Sequence, residues 1–204
     1  MKHASRLLSL LVLTAAFVLL AGSSCQKSIP ERAWERGQFQ RMDQNAENYS
    51  LPSGITIDSM NGYPDAIYTS DEPLAIYVTN SKTSDVKVTF PAGLVFSCSS
   101  SPDYEFMMLL KDFSFTAVAG GTTFDTLPTF GCNEESLDAP DDESFYEIGW
   151  RENDKDIQEL LDLVANKTLT DSLDAVTLAQ DALSEITDDS GLTADTRAAL
   201  QNLP

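Results

Sequence analysis

From Leu51 to about Trp150 the chain repeats with a period of two. Asp85-Val86-Lys87-Val88-Thr89-Phe90 alternates polar and apolar positions, as a strand with one buried face must, because successive side chains leave opposite sides of the pleat. Similar short runs recur at Gly54 to Met60, Leu74 to Thr79, Gly93 to Cys98, Tyr104 to Leu110, Asp112 to Val118, Thr122 to Leu127 and Ser144 to Trp150. Turn-forming residues separate them at Asn61-Gly62-Tyr63-Pro64, Asn80-Ser81, Pro91-Ala92-Gly93, Ser101-Pro102-Asp103 and Gly120-Gly121. The last of these fits a two-residue hairpin, whose central residues need positive φ. Seven or eight strands at this spacing predict a mainly β fold, an antiparallel, immunoglobulin-like β-sandwich.

After Trp150 the period lengthens. Asn153 or Asp154 can cap a helix that places Ile157, Leu160, Leu161 and Val164 on one face, at i, i+3, i+4 and i+7. A second helix starting at Thr170 or Asp171 turns Leu173, Val176, Leu183 and Ile186 inward and ends at Asp188-Asp189-Ser190-Gly191. A short third helix begins at Thr193 and presents Leu200. Two or three helices after a sheet unit predict a C-terminal appendage packed on the sandwich. Gln180 breaks the pattern of the second helix. It stands four residues after Val176 and three before Leu183, inside the apolar stripe. A buried primary amide must find partners or cost about 1 to 3 kcal/mol. A sheet carbonyl or water at the stripe's edge would satisfy it.

The chain divides on this reading into residues 1–24, 25–50, 51–150 and 151–204. The first segment has a positive start at Lys2 and Arg6, an apolar run from Leu7 to Leu20, and the small residues Ala21-Gly22-Ser23-Ser24 before Cys25. The run is short of the roughly 20 residues of a membrane-spanning helix. The segment resembles the leaders of bacterial lipoproteins, with Gly22 where those usually carry leucine. That resemblance implies cleavage before Cys25, acylation of Cys25, and an exported protein held at a membrane by lipid, either periplasmic or on the cell surface. Residues 26–50 are polar with scattered apolar positions (Ile29, Trp34, Phe39, Met42), which suits a tether. An amphipathic helix over Glu31 to Gln44 is the competing reading.

Removing the leader changes the charge and the chemistry available. It carries two of the 13 Lys and Arg, none of the 32 Asp and Glu, and the only histidine, His3, which leaves 11 cations against 32 anions, a net of −21. Nucleic acid is not expected as a partner, since phosphate binding needs a basic patch. A mature chain without imidazole lacks Ser-His or Cys-His nucleophile pairs and the usual zinc ligands. No cofactor or metal is expected. Asp138-Ala139-Pro140-Asp141-Asp142-Glu143 and Asp188-Asp189-Ser190 are acidic, but neither has the alternating spacing of a calcium-binding helix-loop-helix loop. The serines from Ser97 to Ser101 have no base and read as an exposed loop.

With Cys25 acylated, Cys98 and Cys132 remain as an even pair in an oxidising compartment, each beside a strand end. A disulfide between them, two free thiols, or an internal thioester between Cys132 and Gln180 are the open alternatives. The last follows from a resemblance. Ala179-Gln180-Asp181-Ala182-Leu183 through Asp188 is similar to the glutamine run of thioester domains in Gram-positive surface adhesins, and Phe130-Gly131-Cys132-Asn133 to their cysteine segment. Ala179, Ser184 and Gly131 differ from the family pattern. Phe90-Pro91-Ala92-Gly93, Met107 to Asp112, Gly120-Gly121 and Cys132-Asn133 also resemble β-rich domains of exported bacterial proteins.

The expectation is a lipid-anchored cell-envelope module, at the outer membrane or elsewhere in the envelope. It would bind or adhere to an envelope protein or glycan without catalysis, through turn aromatics such as Tyr63, Tyr104, Phe130 and Tyr146. A carboxylate-dependent enzyme acting on polysaccharide, with two acids about 5 to 10 Å apart across a cleft, and a thioester adhesin are the alternatives.

Overall fold

A computed structural model describes residues 46–64, 70, 72–132, 137–169, 172–188 and 191–204. Every described residue belongs to one compact unit, Ala33–Pro204. Nine strands are described: β1 (Ile55–Gly62), β2 (Leu74–Asn80), β3 (Val86–Phe90), β4 (Leu94–Cys98), β5 (Phe106–Leu109), β6 (Phe113–Ala117), β7 (Thr122–Leu127), β8 (Thr129–Cys132) and β9 (Tyr146–Arg151). Three helices follow, α1 (Lys155–Val164), α2 (Leu173–Thr187) and α3 (Ala194–Gln201). The strands form antiparallel sheets of order β1-β2-β7, β3-β6 and β8-β5-β4-β9. The mainly β class and the helical C-terminus are as the periodicity predicts.

The four-stranded sheet is buried on both faces. Leu94, Phe96, Met107 and Leu109 share one core with Leu74, Ile76 and Val78 of β2, Val88 and Phe90 of β3, and Phe115 of β6. The intervening residues Val95 and Met108, with Leu110, Phe130 and Cys132, join a second core with Ile157, Leu160 and Val164 of α1 and Val176, Leu183 and Ile186 of α2. This is why Phe106-Met107-Met108-Leu109-Leu110 is continuously apolar where β3 alternates: both parities of β5 are covered. Removing any of these fully buried side chains should cost about 2 to 5 kcal/mol.

Local chemistry fixes the helices. The Asp154 carboxylate accepts from the Asp156 N–H at 2.8 Å and starts α1, and the Thr193 hydroxyl accepts from the Thr196 N–H at 3.2 Å and starts α3. Arg197 closes α3 on α1 with a two-pronged contact to Glu159, Nε to Oε1 at 2.5 Å and a second nitrogen to Oε2 at 3.0 Å. Lys167 donates to the carbonyls of Gln201 and Leu203 and receives Lys111 on its own carbonyl, tying the C-terminus to the sheet.

Several expectations change. β8 is a separate strand, hidden in the sequence because Pro128 follows β7 directly. Gly120-Gly121 does not close a hairpin, since β6 pairs with β3 and β7 with β2; with Gly120 at φ 61°, it carries the chain from one sheet to another. Helix α2 starts after Ser172, and Leu173, its first residue, is 70 % exposed instead of inward. The end of the predicted tether is part of the fold: Tyr49 donates to the Thr89 carbonyl and packs on Phe90, and Glu47 pairs with Arg151. Among the described residues no helix is long and apolar enough to cross a membrane.

Candidate functional site

Gln180 is buried, and its amide docks on the backbone of β8. Its oxygen accepts from the Gly131 N–H at 3.0 Å, and its nitrogen donates to the Gly131 carbonyl at 2.8 Å and to the Ser184 hydroxyl at 3.2 Å. β8 is an edge strand of its sheet. One amide making both bonds to one residue reproduces what a hydrogen-bonded residue of a neighbouring antiparallel strand would supply. The side chain therefore closes the edge with a single residue while α2 covers it.

The space around Gly131 is filled by carboxylates. A Cβ at position 131 would land inside the Glu105 carboxylate and 2.7 Å from Glu72 Oε2. Glycine is required here by close approach, not by backbone conformation. Glu105 is 1 % exposed and accepts the Tyr146 hydroxyl on its carbonyl; the Glu72 N–H donates to the Thr129 carbonyl, and the Glu72 carbonyl accepts the Thr129 hydroxyl. Neither acid stands out in the sequence, since each is outside any motif. Burial, reinforced by the charge of Glu105, pushes the Cys132 thiol well above its ordinary range.

The two described cysteines are free, which corrects the disulfide reading. Cys132 is on β8 and belongs to the core under the helices, whereas Cys98 is on β4 and packs against the opposite core, with β5 between them. Two strand spacings amount to about 9.5 Å, beyond the roughly 7 Å between Cα atoms that a disulfide tolerates. Gln180 and Cys132, by contrast, are brought together: the amide binds the residue immediately before the cysteine. Cys25 lies outside the described residues.

The acidic loop is organised around Asp141. Its carboxylate accepts from Tyr104 Oη at 2.7 Å and from the Glu143 N–H at 3.0 Å. The shared proton holds the Asp141 carboxyl below its ordinary range and pushes the Tyr104 phenol up to about 12. Among the described residues no group of three or more possible ligands could hold a metal ion. The serine loop is likewise structural, with Ser99 and Ser100 hydroxyls bound to the Phe145 backbone.

The outer face of the β1-β2-β7 sheet carries an exposed aromatic group. Ser59, Tyr77 and Phe124 lie opposite one another across the three strands. Tyr77 and Phe124 are 5.0 Å apart between ring centroids, and Tyr63 meets Phe124 edge-on at 6.0 Å. All three rings are exposed, at 38 to 47 %. Hydroxyls border them: Thr79 and Thr122 are 3.0 Å apart, and Thr79 donates to Asp58. Of the turn aromatics expected to form a contact surface, only Tyr63 belongs to this group; Phe130 and Tyr146 are buried, and Tyr104 is bound to Asp141. Tyr77 and Phe124 were legible as aromatics on the polar parity of their strands, opposite in phase to Leu74, Ile76, Val78 and Leu127.

Comparison with protein-family models, curated proteins and solved structures returns no match.

Proposed function

We propose that the protein is a lipid-anchored envelope module that binds glycan through the face formed by Tyr63, Tyr77 and Phe124. The observation that carries this reading is the exposure of three touching rings on the solvent side of a sheet, where alternation calls for polar residues. Rings held by strands lose little freedom when they stack on the apolar face of a sugar, and the surrounding threonine hydroxyls supply hydrogen bonds to its rim. Glu105 is 1 % exposed and so out of reach of a polysaccharide, which favours binding over catalysis by that carboxylate. Retention of the domain on immobilised polysaccharides, lost on Phe124→Ala with the fold intact, supports this function; equal retention of the variant rejects it.

The anchor is part of the same proposal. Acylation of Cys25 would place the domain at a membrane, and Cys25→Ala should move the protein to the soluble fraction. At the level of layers the fold is read as an immunoglobulin-like sandwich, because the three- and two-stranded sheets share a core with the inner face of the four-stranded one. The likeness is one of layers and not of connectivity, since β8 and β9 are at opposite edges while the last two immunoglobulin strands are neighbours.

A second reading is favoured by the placement of Gln180 beside Cys132. Attack of the thiol sulfur on the side-chain amide carbon, with the thiol proton leaving on the nitrogen, would form a thioester and release ammonia. Intact mass decides between them: loss of one ammonia, reversed by methylamine addition, marks the thioester, and full mass with two alkylatable thiols marks the amide clamp.

A further inference from the structure

The ring face does not end at the sheet edge. β1 is the outermost strand of its sheet, and its residues Asp58 and Ser59 belong to two surfaces at once. On one side Ser59 stands opposite Tyr77, which stands opposite Phe124, and the Asp58 carboxylate accepts the Thr79 hydroxyl at 2.6 Å. On the other side both residues line a groove of about 400 Å³, whose lining from the next sheet includes Phe145, Glu147 and Ile148. The pairing of β1 with β2 skips Asp58, an irregularity of the kind that re-aims a side chain. Phe145 is 50 % exposed, so the groove adds a fourth open ring to Tyr63, Tyr77 and Phe124. From Phe124 to β1 is two strand spacings, about 9.5 Å, and the groove extends beyond. The continuous surface is longer than one sugar ring and suits a chain of them.

The charge along this surface has one sign. β1, β2 and β7 contain Asp58 and Asp125 and no lysine or arginine. Asp58 and Glu147 are the two charged residues of the groove, and both are exposed. Arg151, the cation of β9, stands at the far end of that strand and pairs with Glu47 at 3.7 Å. A glycan bearing carboxylates, sulfates or phosphates would meet like charge on these strands, and such juxtaposition rejects a partner. A neutral glycan would stack on the rings and gain nothing from either carboxylate. A glycan bearing ammonium groups would stack as well and also form charge-assisted hydrogen bonds to Asp58 and Glu147, which are stronger than neutral ones.

On the reading of this face as a glycan site, we propose that its ligand is a chain of amino sugars with free, protonated amines. The chain lies across Phe124, Tyr77 and Tyr63 and continues into the groove beside Phe145, where Asp58 and Glu147 hold its ammonium groups. The rings supply a contact that any sugar ring accepts, and the two acids supply the choice among sugars. Because both acids are exposed, the preference is moderate and weakens with salt.

The probes are the β-1,4-linked hexamer of glucosamine and the matching hexamer of glucose, which has a hydroxyl where the first has ammonium. Each is titrated calorimetrically against the full chain in low salt, below neutral pH. The expected result is binding of the glucosamine hexamer about fivefold or more tighter than the glucose hexamer, the ratio falling as salt is added. Asp58→Asn with Glu147→Gln should bring the two affinities together by weakening the glucosamine hexamer alone. Asp162→Asn with Asp181→Asn makes the same charge change at exposed positions of α1 and α2 and should leave the ratio as it is. Phe124→Ala should weaken both hexamers. A ratio that survives in the Asp58 and Glu147 double variant overturns the proposal. So does an equal fall in the two double variants, which would mark diffuse attraction to a chain of net charge −19. Equal native affinities that both drop in Phe124→Ala overturn this inference and leave the glycan reading standing, whereas binding of neither hexamer counts against both.

Discussion

Gln180 is a polar side chain standing in an apolar stripe, and Tyr77 and Phe124 are aromatic side chains standing on the solvent side of alternating strands. Both depart from the binary pattern, in opposite senses. The departure at Gln180 is resolved within the molecule: two hydrogen bonds to Gly131 complete a sheet edge that a leucine would leave open. The departure at Tyr77 and Phe124 is not, because the rings touch each other and Tyr63 but cover no core. A polar group that is buried and satisfied is explained by folding, whereas the exposed aromatic group is what the proposed binding role rests on.

That difference can be broken from either side. The largest effect is expected at Gly131→Ala, where the new methyl would occupy the Glu105 carboxylate; a loss of about 3 kcal/mol or more is expected from overpacking, measured by urea unfolding. Gln180→Leu keeps the stripe apolar yet should cost about 2 to 4 kcal/mol, since the Gly131 N–H and carbonyl lose their partner. A stabilised Gln180→Leu would show that the amide is not a clamp. Phe124→Ala should change stability by less than about 1 kcal/mol, the scale of an aromatic pair contact.

The smallest effect concerns the Tyr104–Asp141 bond on the surface. Asp141 titrates lower folded than unfolded, so its contribution is complete above the ordinary carboxylate range and is lost as pH falls through the folded value. Tyr104 titrates higher folded than unfolded, so its contribution is complete below the ordinary phenol value of 10.0 and is lost as pH rises toward about 12. In Tyr104→Phe the Asp141 carboxyl should return toward its usual range by NMR titration, and the phenol that titrates at about 12 should vanish from the ultraviolet titration. An Asp141 carboxyl that does not move would assign its shift to the loop backbone.

The strands and helices were legible because their periods are strong: Val86 to Phe90 alternates and Ile157 to Val164 repeats at helical spacing. Gln180 was legible as an anomaly for the same reason. Its partner was not, because Gly131 reaches it through sheet order, which no local pattern encodes. The separation of Cys98 from Cys132 by β5, and the convergence of Glu72 and Glu105 on one glycine, are likewise products of topology. The aromatic face required knowing that Tyr77 and Phe124 are in register on adjacent strands.

The central claim is that the Tyr63, Tyr77 and Phe124 face is a binding surface for sugar rings. Affinity electrophoresis of the leaderless domain through gels cast with soluble polysaccharides tests it most directly, with the Tyr77→Ala, Phe124→Ala double variant run alongside. Retardation of the native domain by at least one polysaccharide, abolished in a double variant that unfolds at nearly the same urea concentration, is the predicted result. Retardation that persists in the double variant, or none for the native domain in any polysaccharide, would contradict it.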